Sequence, residues 1–416
     1  MYHGVADLYT YFFERGIGLL NPNGLFGMIV ANKWMRAGYG EPLRLWLKSR
    51  NIKEIIDFGD LQVFQGATTY PCIFICGKGE VEKQLAVTAM KTLGFKSLSG
   101  YVAYHRKLID QASLDNSGWN LGSEEEQQLL LKIRQAGIPL GDYVKGKIYY
   151  GIKTGLNEAF VIDAITRDRL IAEDPRSAEV IKPFLAGRDI KRYQQPKSEK
   201  YLIFTKRGID ISQYPAIRNH LTQFRKELSP RPKDFSGANW PGRKPGSYKW
   251  YEIQDAVDYY AEFEKPKILW PGISASIVSF AVDHENYYGN DNTQLIISDD
   301  KFLLGILNSS LSKFQLMNIC DKVQGGFYRL KIVYINQISI KSPSPDNPSD
   351  LTLRDSIILQ VDLMLQLNRE ISSAVLPEKK EQLKARLDYT DQKINALVYQ
   401  LYGLSPEEIT IVENFR

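Results

Sequence analysis

The sequence has 416 residues, enough for two or three domains. Hydrophobic residues make up 44% and charged residues 24%, which is the profile of a globular protein and excludes a fibrous or disordered one. Neither a bilayer-spanning apolar run of ~18 residues nor a secretory signal pattern is present. The three cysteines are too few for a disulfide framework, so we expect reduced thiols and a cytoplasmic protein.

The distribution of charge is more informative than its total. A net charge of +5 is modest for this length and does not by itself indicate a nucleic-acid partner. Basic residues, however, alternate with aromatic residues and prolines between about positions 176 and 267, and aromatic residues make up 12% of the chain. That mixture suits stacking and phosphate contact, but it also suits an ordinary β-rich core.

The first part of the chain reads as alternating helices and strands. Its strands are continuous apolar runs, which are typical of parallel strands covered on both faces. The number of strands is smaller than in a usual open sheet, so the domain looks incomplete. The predicted elements are helices over 5–20, 40–50 and 123–137 (the last capped by Ser123) and strands over 25–31, 52–59, 71–79 and 83–92.

The pattern changes after residue 140. Short strand-like runs alternate with loops rich in glycine, proline and asparagine, which predicts a separate, mainly β domain with helical insertions. From Leu351 onward the periodicity is helical, and two amphipathic segments over 353–374 and 378–403 predict a hairpin. We expect this tail to pack on the preceding domain, and a coiled-coil spacer is the alternative.

A family resemblance lies in the first 76 residues. The segments DLYTYFFERGIGLLNPNGLFGMIVANKWMRAGYGEPLRLWL (7–47) and IKEIIDFGDLQVFQGATTYPCIFIC (52–76) resemble the later half of the adenine-specific DNA methyltransferase domain of type IIG restriction–modification enzymes. The resemblance implies an α/β, partial Rossmann-like methyltransferase half-domain over residues 1–115. In that family a catalytic Asn-Pro-Pro-Tyr loop precedes the DLYxxFxERG helix.

The chemistry of that family requires parts that we do not find in this sequence. Methylation of adenine requires the base to be flipped out of the duplex. The resemblance implies S-adenosylmethionine as cofactor of the complete enzyme, bound at glycine-rich loops after the first strands. Neither such a loop nor Asn-Pro-Pro-Tyr occurs near the N-terminus. We therefore expect no catalytic residue and no cofactor in this chain alone, and a partner polypeptide that supplies both.

What the resemblance leaves here is one wall of the target-base pocket. In the family an aromatic residue in the loop before the last strand stacks on the flipped adenine, which makes Phe64 the first candidate and Tyr70 the second. Packing of Phe64 into the sheet is the alternative. Lys33 and Arg36 follow the first strand, where open sheets place ligand contacts, and we predict DNA contacts for both. Trp34, between them, suits the core.

A second resemblance covers about residues 141–345. The segments GIKTGLNEAF (151–160) and IKPFLAGRDIKRY (181–193) resemble the TaqI-like C-terminal specificity domain, which clamps the duplex and reads base edges in the major groove. The resemblance implies a mixed, mainly β target-recognition domain over residues 116–345, followed by a C-terminal helical region over 346–416. Double-stranded DNA is then the expected partner.

The candidate DNA contacts in this domain are polar or basic side chains in loops. Positive side chains would supply affinity through phosphates, and loop side chains would discriminate bases. For each one a solvated surface charge is the alternative, and for Thr154 a tight turn. These candidates are Lys153, Thr154, Asn157, Arg188, Lys191, Arg192, Arg243, Lys244 and Arg329.

Two functional hypotheses remain open on the sequence. The chain is either the recognition half of an adenine-N6 methyltransferase or a non-catalytic specificity subunit or decayed fragment. The four histidines are scattered without zinc-ligand spacing, so we expect no metal site.

Overall fold

The computed structural model describes residues 7–36, 38–59, 61–66, 69–114, 118–119, 121, 124–275, 278–320, 322–323 and 327–415. The predicted cap Ser123 lies outside these residues. Two compact units are built from stretches that interleave along the chain. The first contains Met1–Ile138, Lys313–Tyr334 and Leu404–Arg416, and the second contains Pro139–Ser312 and Ile335–Gly403. The domain boundaries at residues 115 and 345 stay predictions.

The first stretch of the chain has helices and strands at the predicted places. Their bounds are α1 Tyr9–Gly18, β1 Leu25–Ala31, α2 Glu41–Lys48, β2 Asn51–Asp57, β3 Pro71–Gly77, β4 Gln84–Ala89, α3 Leu98–His105, β5 Lys107–Asp110 and α4 Glu124–Ala136. However, β2, β3 and β4 follow one another without an intervening helix, and α3 and β5 were not predicted.

The middle of the chain consists of short strands and short helices. Their bounds are β6 Ile138–Pro139, α5 Leu140–Tyr143, β7 Ile148–Tyr150, α6 Asn157–Phe160, β8 Val161–Asp163, α7 Ala164–Glu173, α8 Ser177–Val180, β9 Ile181–Leu185, β10 Lys200–Ile203, α9 Pro215–Thr222, α10 Arg225–Leu228, β11 Lys267–Pro271, β12 Ile273–Ser274, β13 Ala281–Asp283, β14 Tyr288–Gly289, β15 Thr293–Ile296 and α11 Lys301–Leu307.

The last stretch is mainly helical. Its elements are α12 Ser310–Ile319, β16 Lys322–Val323, β17 Phe327–Arg329, α13 Ile332–Ile335, β18 Ser339–Ile340, α14 Pro348–Ser373, α15 Pro377–Tyr402 and α16 Pro406–Asn414. Within the described stretches, no helix combines the length and the apolar character that crossing a bilayer requires.

The sheet of the first unit has the strand order β1-β3-β2-β4-β5. Strand β3 runs antiparallel to both β1 and β2, and only β2 and β4 are parallel among the neighbouring pairs. The expectation of parallel strands covered on both faces is therefore wrong for β1, which lies at the edge of the sheet. Leu25 and Ile29 on β1 are 64% and 46% exposed, whereas β3 is largely buried.

Aromatic side chains fill the core beside this sheet. Trp34 is fully buried, and its ring centroid lies 5.2 Å from that of Phe13, 5.7 Å from that of Phe74 and 5.1 Å from that of Trp119. The guanidinium of Arg44, also buried, donates to the carbonyl oxygen of Trp34 at 2.6 Å. The prediction that Trp34 is a core residue is confirmed, and its burial fixes the turn that follows β1.

The second unit contains two four-stranded sheets, β14-β9-β10-β8 and β13-β11-β15-β7, around a shared apolar core. A fully buried ion pair lies at one end of the second sheet, where Lys267 Nζ contacts Asp283 Oδ2 at 2.6 Å. Asp283 also accepts backbone hydrogen bonds from Glu285 and Tyr287, and Lys267 donates to the carbonyl oxygen of Phe263. Both charges are thus satisfied without water.

The predicted helical hairpin of the tail is confirmed. Helices α14 and α15 are joined by three residues and pack along each other. The apolar stripe of α14 is buried, and α11 approaches it closely at Gly305, where an added Cβ would lie 2.8 Å from Ile357. The hairpin therefore packs within the second unit and is not a free coiled-coil spacer.

Candidate nucleic-acid interface

Three strand ends meet at one edge of the first sheet. Asn32, just after β1, donates from Nδ2 to Asp57 Oδ1 at 2.8 Å, and the backbone N–H of Gly59 donates to the same oxygen at 3.0 Å. The backbone N–H of Asn32 donates to the carbonyl oxygen of Tyr70 at 2.7 Å. These bonds hold both ends of the 58–70 loop against the end of β1.

The Phe64 side chain projects from this loop. It is 44% exposed, so Phe64 is not part of the buried core. Tyr70 is half-buried at the base of the loop, Lys33 is exposed, and Arg36 is half-buried. An exposed aromatic side chain on a loop with fixed ends is suited to stacking on an extruded base. Positions 67 and 68, within the same loop, lie outside the described residues.

Asn32 and Asp57 also hold the Gly59 backbone. Asn32 Nδ2 donates to the Gly59 carbonyl oxygen at 3.4 Å as well as to Asp57 Oδ1, which in turn accepts from the Gly59 N–H. Glycines with positive φ occur at Gly59 and Gly66, within the loop that carries Phe64.

Basic side chains of the second unit divide into exposed and internal ones. Arg188 and Lys191 are exposed, and both line an open groove of about 420 Å³ together with Lys197. Arg192 is different. Its guanidinium donates twice to the carbonyl oxygen of Asn308 and forms an ion pair with Asp391 on α15 at 2.5 Å. Arg192 therefore ties the loop after β9 to the tail, which does not fit the expected DNA contact.

The predicted contacts near residue 155 also divide. Asn157 is exposed and Lys153 is half-buried, but Thr154 is only 2% exposed. The Thr154 hydroxyl donates to Asn157 Oδ1 at 2.7 Å and accepts from the backbone N–H of Leu156. The Thr154 hydroxyl is buried and already donates one hydrogen bond and accepts another. It therefore does not fit a direct contact to DNA. The tight-turn alternative for Thr154 agrees with this placement.

Arg243 lies inside the second unit, contrary to the expected phosphate contact. It is 4% exposed, and burial lowers its pKa to about 10. All five N–H donors of its guanidinium bond to backbone carbonyl oxygens. The acceptors are Leu228, Thr154, Glu252, Lys249 and Trp250. Arg243 thus joins three loop segments, while its neighbour Lys244 is exposed.

The basic–aromatic loop over 231–253 forms cation–π pairs. The guanidinium of Arg231 lies 5.4 Å from the Phe235 ring and that of Arg225 lies 5.1 Å from the Trp250 ring. The Lys249 ammonium lies 5.6 Å from the Tyr251 ring. The mixture of residue types that suggested nucleic-acid binding is therefore partly used for internal pairing.

Arg329 is exposed on β17, and Phe327 on the same strand is 41% exposed. Positions 324–326, beside it, lie outside the described residues. Sequence reasoning missed Lys200, Asn290 and Asn292, which line one groove with Asn157 and Arg188. The local sequence gives no sign of them, because the loops that carry them are distant along the chain.

Two family models match this chain, and they correspond to the two resemblances found in the sequence. Residues 1–64 match the family model of the Eco57I restriction-modification methylase, and residues 182–340 match that of the TaqI-like C-terminal specificity domain. The chain is similar to restriction–modification methyltransferases. Both resemblances noted on the sequence are thereby confirmed.

Individual restriction–modification relatives match almost the whole chain. The type II methyltransferase M.PaeR7I of Pseudomonas aeruginosa is 25% identical, over 97% of this chain and 65% of the relative. The type II methyltransferase M.XhoI of Xanthomonas vasicola is 22% identical, over 98% of this chain and 70% of the relative. The chain thus spans about two thirds of the length of these methyltransferases.

Among solved structures, the type IIL restriction-modification enzyme MmeI in complex with DNA superposes with a TM-score of 0.62 and 15% identity. The superposition covers 97% of this chain and 51% of the MmeI chain. At that identity the likeness concerns the fold, which is a mixed α/β architecture with several sheets and C-terminal helices.

Proposed function

We propose that this chain supplies sequence-specific recognition of duplex DNA within a site-specific adenine-N6 DNA methyltransferase of a restriction–modification system. The observation that carries the proposal is the exposed cationic edge of the second unit. Arg188, Lys191 and Lys197 lie exposed along one groove, within the residues matched to the specificity domain. Phosphate contacts by such side chains supply the affinity of DNA-binding proteins.

The first unit has a second role in this proposal. Phe64 forms the stacking face for the flipped adenine, with Tyr70 beside it. Lys33 and Arg36 contact the DNA backbone nearby. S-adenosylmethionine and the catalytic Asn-Pro-Pro-Tyr loop come from further polypeptide, because this sequence has neither a glycine-rich loop after a strand near its N-terminus nor Asn-Pro-Pro-Tyr. The open edge of β1 suits this arrangement, since a strand from that polypeptide could pair there.

DNA binding by the isolated chain tests the recognition role. We expect salt-dependent binding to duplex DNA, and the double variant Arg188→Ala/Lys191→Ala should weaken it about tenfold at moderate salt. The slope of log affinity against log salt should fall by about two, because each phosphate contact contributes roughly one. Fluorescence anisotropy over a series of salt concentrations measures both quantities.

The matched control removes two charges elsewhere. Lys384 and Arg386 are exposed on α15, and the variant Lys384→Ala/Arg386→Ala has the same net charge as the test variant. If both variants weakened binding equally, the effect would be one of overall charge and the cationic edge would have no special role. A chain that binds DNA but never supports methylation with any donor-binding partner would instead favour a non-catalytic specificity subunit.

A further inference from the structure

Two loops of the second unit are locked together backbone to backbone. The N–H of Gly151 donates to the carbonyl oxygen of Thr293, and that of Ile152 donates to the carbonyl oxygen of Gly289, both at 2.7 Å. A Cβ on Gly151 would lie 1.9 Å from the carbonyl oxygen of Asn290, so this approach requires glycine. The 151–157 and 289–293 loops therefore form one rigid platform.

The platform carries the same threonine–asparagine pair twice. The hydroxyl of Thr154 donates to Asn157 Oδ1 at 2.7 Å, and the hydroxyl of Thr293 donates to Asn290 Oδ1 at 3.0 Å. In each pair the threonine is buried and lies three residues from the asparagine. Because the carboxamide oxygen is taken, each amide is oriented with its Nδ2 donor directed away from the threonine.

Asn157 and Asn290 lie along the same groove, and each has a side-chain N–H donor to offer there. Within the described part of the chain, neither Asn157 Nδ2 nor Asn290 Nδ2 has a hydrogen-bond partner. The two residues line one open groove of about 460 Å³. A pre-oriented amide donor loses little conformational entropy on binding, which makes it an effective reader of a fixed acceptor.

The lining of this groove carries charges of both signs, which suits a surface that contacts both base edges and phosphates. Glu158 and Asp189 bring carboxylates into it beside the cations Arg188 and Lys200. Base edges in the major groove offer acceptors to amide donors and, at cytosine, a donor to a carboxylate. Arg188 and Lys200, also in the lining, are exposed and suited to the flanking phosphates.

We propose that Asn157 and Asn290 are specificity-determining residues that donate hydrogen bonds to base-edge acceptors of duplex DNA. Thr154 and Thr293 are positioning residues that act through them, which accounts for the burial of Thr154. This inference rests on the proposed recognition function and names the residues that discriminate bases within it.

Selection from a pool of duplex oligonucleotides with a randomised central segment tests the proposal. The Asn157→Asp variant keeps the oxygen that accepts from Thr154 but replaces the donor with an acceptor. We expect it to change the selected base at one position from one that presents an acceptor to one that presents a donor. Asn157→Ala should reduce discrimination at that position about tenfold without changing the salt slope, and Asn290→Ala should do so at another position.

The threonines provide the control for positioning. Thr154→Val removes the hydroxyl but keeps the shape, so it should lose the same discrimination as Asn157→Ala. Thr154→Ser keeps the hydroxyl and should restore it, with thermal unfolding used to verify that each variant is folded. Full wild-type base preference in both asparagine-to-alanine variants would overturn this inference alone. Absence of salt-dependent binding by the wild-type chain would overturn the proposed function itself.

Discussion

Arg188 and Arg192 show what a local sequence can and cannot reveal about a basic side chain. Both belong to one cluster in the sequence, and both were predicted to contact DNA. In the structure Arg188 is exposed, whereas Arg192 bonds to Asn308 and Asp391. Those partners lie 116 and 199 residues away along the chain. Residue type therefore predicts the cation, but only the tertiary fold decides whether it faces solvent.

Arg243 gives a prediction at this scale. Replacement with alanine removes a hydrogen bond from each of five backbone carbonyl oxygens around a buried site, of which those of Thr154 and Lys249 keep a backbone N–H donor. We expect a loss of about 3 kcal/mol in the free energy of unfolding. Urea denaturation followed by tryptophan fluorescence measures the change. The neighbouring Lys244→Ala is the matched control, because Lys244 is exposed and its loss should cost less than about 0.5 kcal/mol. Equal destabilisation by the two variants would contradict the bracing role of Arg243.

At the scale of elements, long periodic segments were predictable and strand arrangement was not. The two tail helices lie where the apolar spacing predicts them, because many residues share one period. The run LFGMIVA predicts a strand but not its neighbours, since an all-apolar run carries no alternation that marks an exposed face. The antiparallel partner β3 and the edge position of β1 depend on contacts with strands further along the chain.

The edge strand β1 carries a prediction of its own. Ile29 is 46% exposed on a strand whose pairing within the described sheet is to β3 alone, and such apolar edges associate. We expect the chain to self-associate with rising concentration and Ile29→Lys to reduce this, as measured by sedimentation velocity. Leu359→Lys is the control, because Leu359 is 66% exposed but lies on the helix α14. An equal effect of the two lysines would show that the strand edge is not the contact.

For the whole molecule, motifs rather than composition predicted the family. A net charge of +5 is uninformative, and the mixture of basic and aromatic residues is partly explained by internal cation–π pairs. The segments over 7–76 and 151–193 carried the resemblance, and the family models match residues 1–64 and 182–340. The first segment is therefore mostly matched, whereas the second is matched only from residue 182 onward. The platform that pairs residues 151–157 with 289–293 could not be predicted, since it depends on a backbone contact between loops distant in sequence.

The exposed Phe64 carries a prediction about methylation by the whole assembly. We expect the chain, combined with a polypeptide that carries the donor site and the Asn-Pro-Pro-Tyr loop, to direct methylation to adenine N6. Nucleoside mass spectrometry of the DNA would measure this methylation.

Phe64→Ala should slow methylation about tenfold to a hundredfold, since stacking on one base contributes about 1–3 kcal/mol, and Phe64→Trp should retain the activity. Because Phe64 is 44% exposed, neither variant should alter stability or the selected DNA sequence. Unchanged methylation by Phe64→Ala, or methylation of cytosine by the wild-type pair, would contradict the role given to this loop.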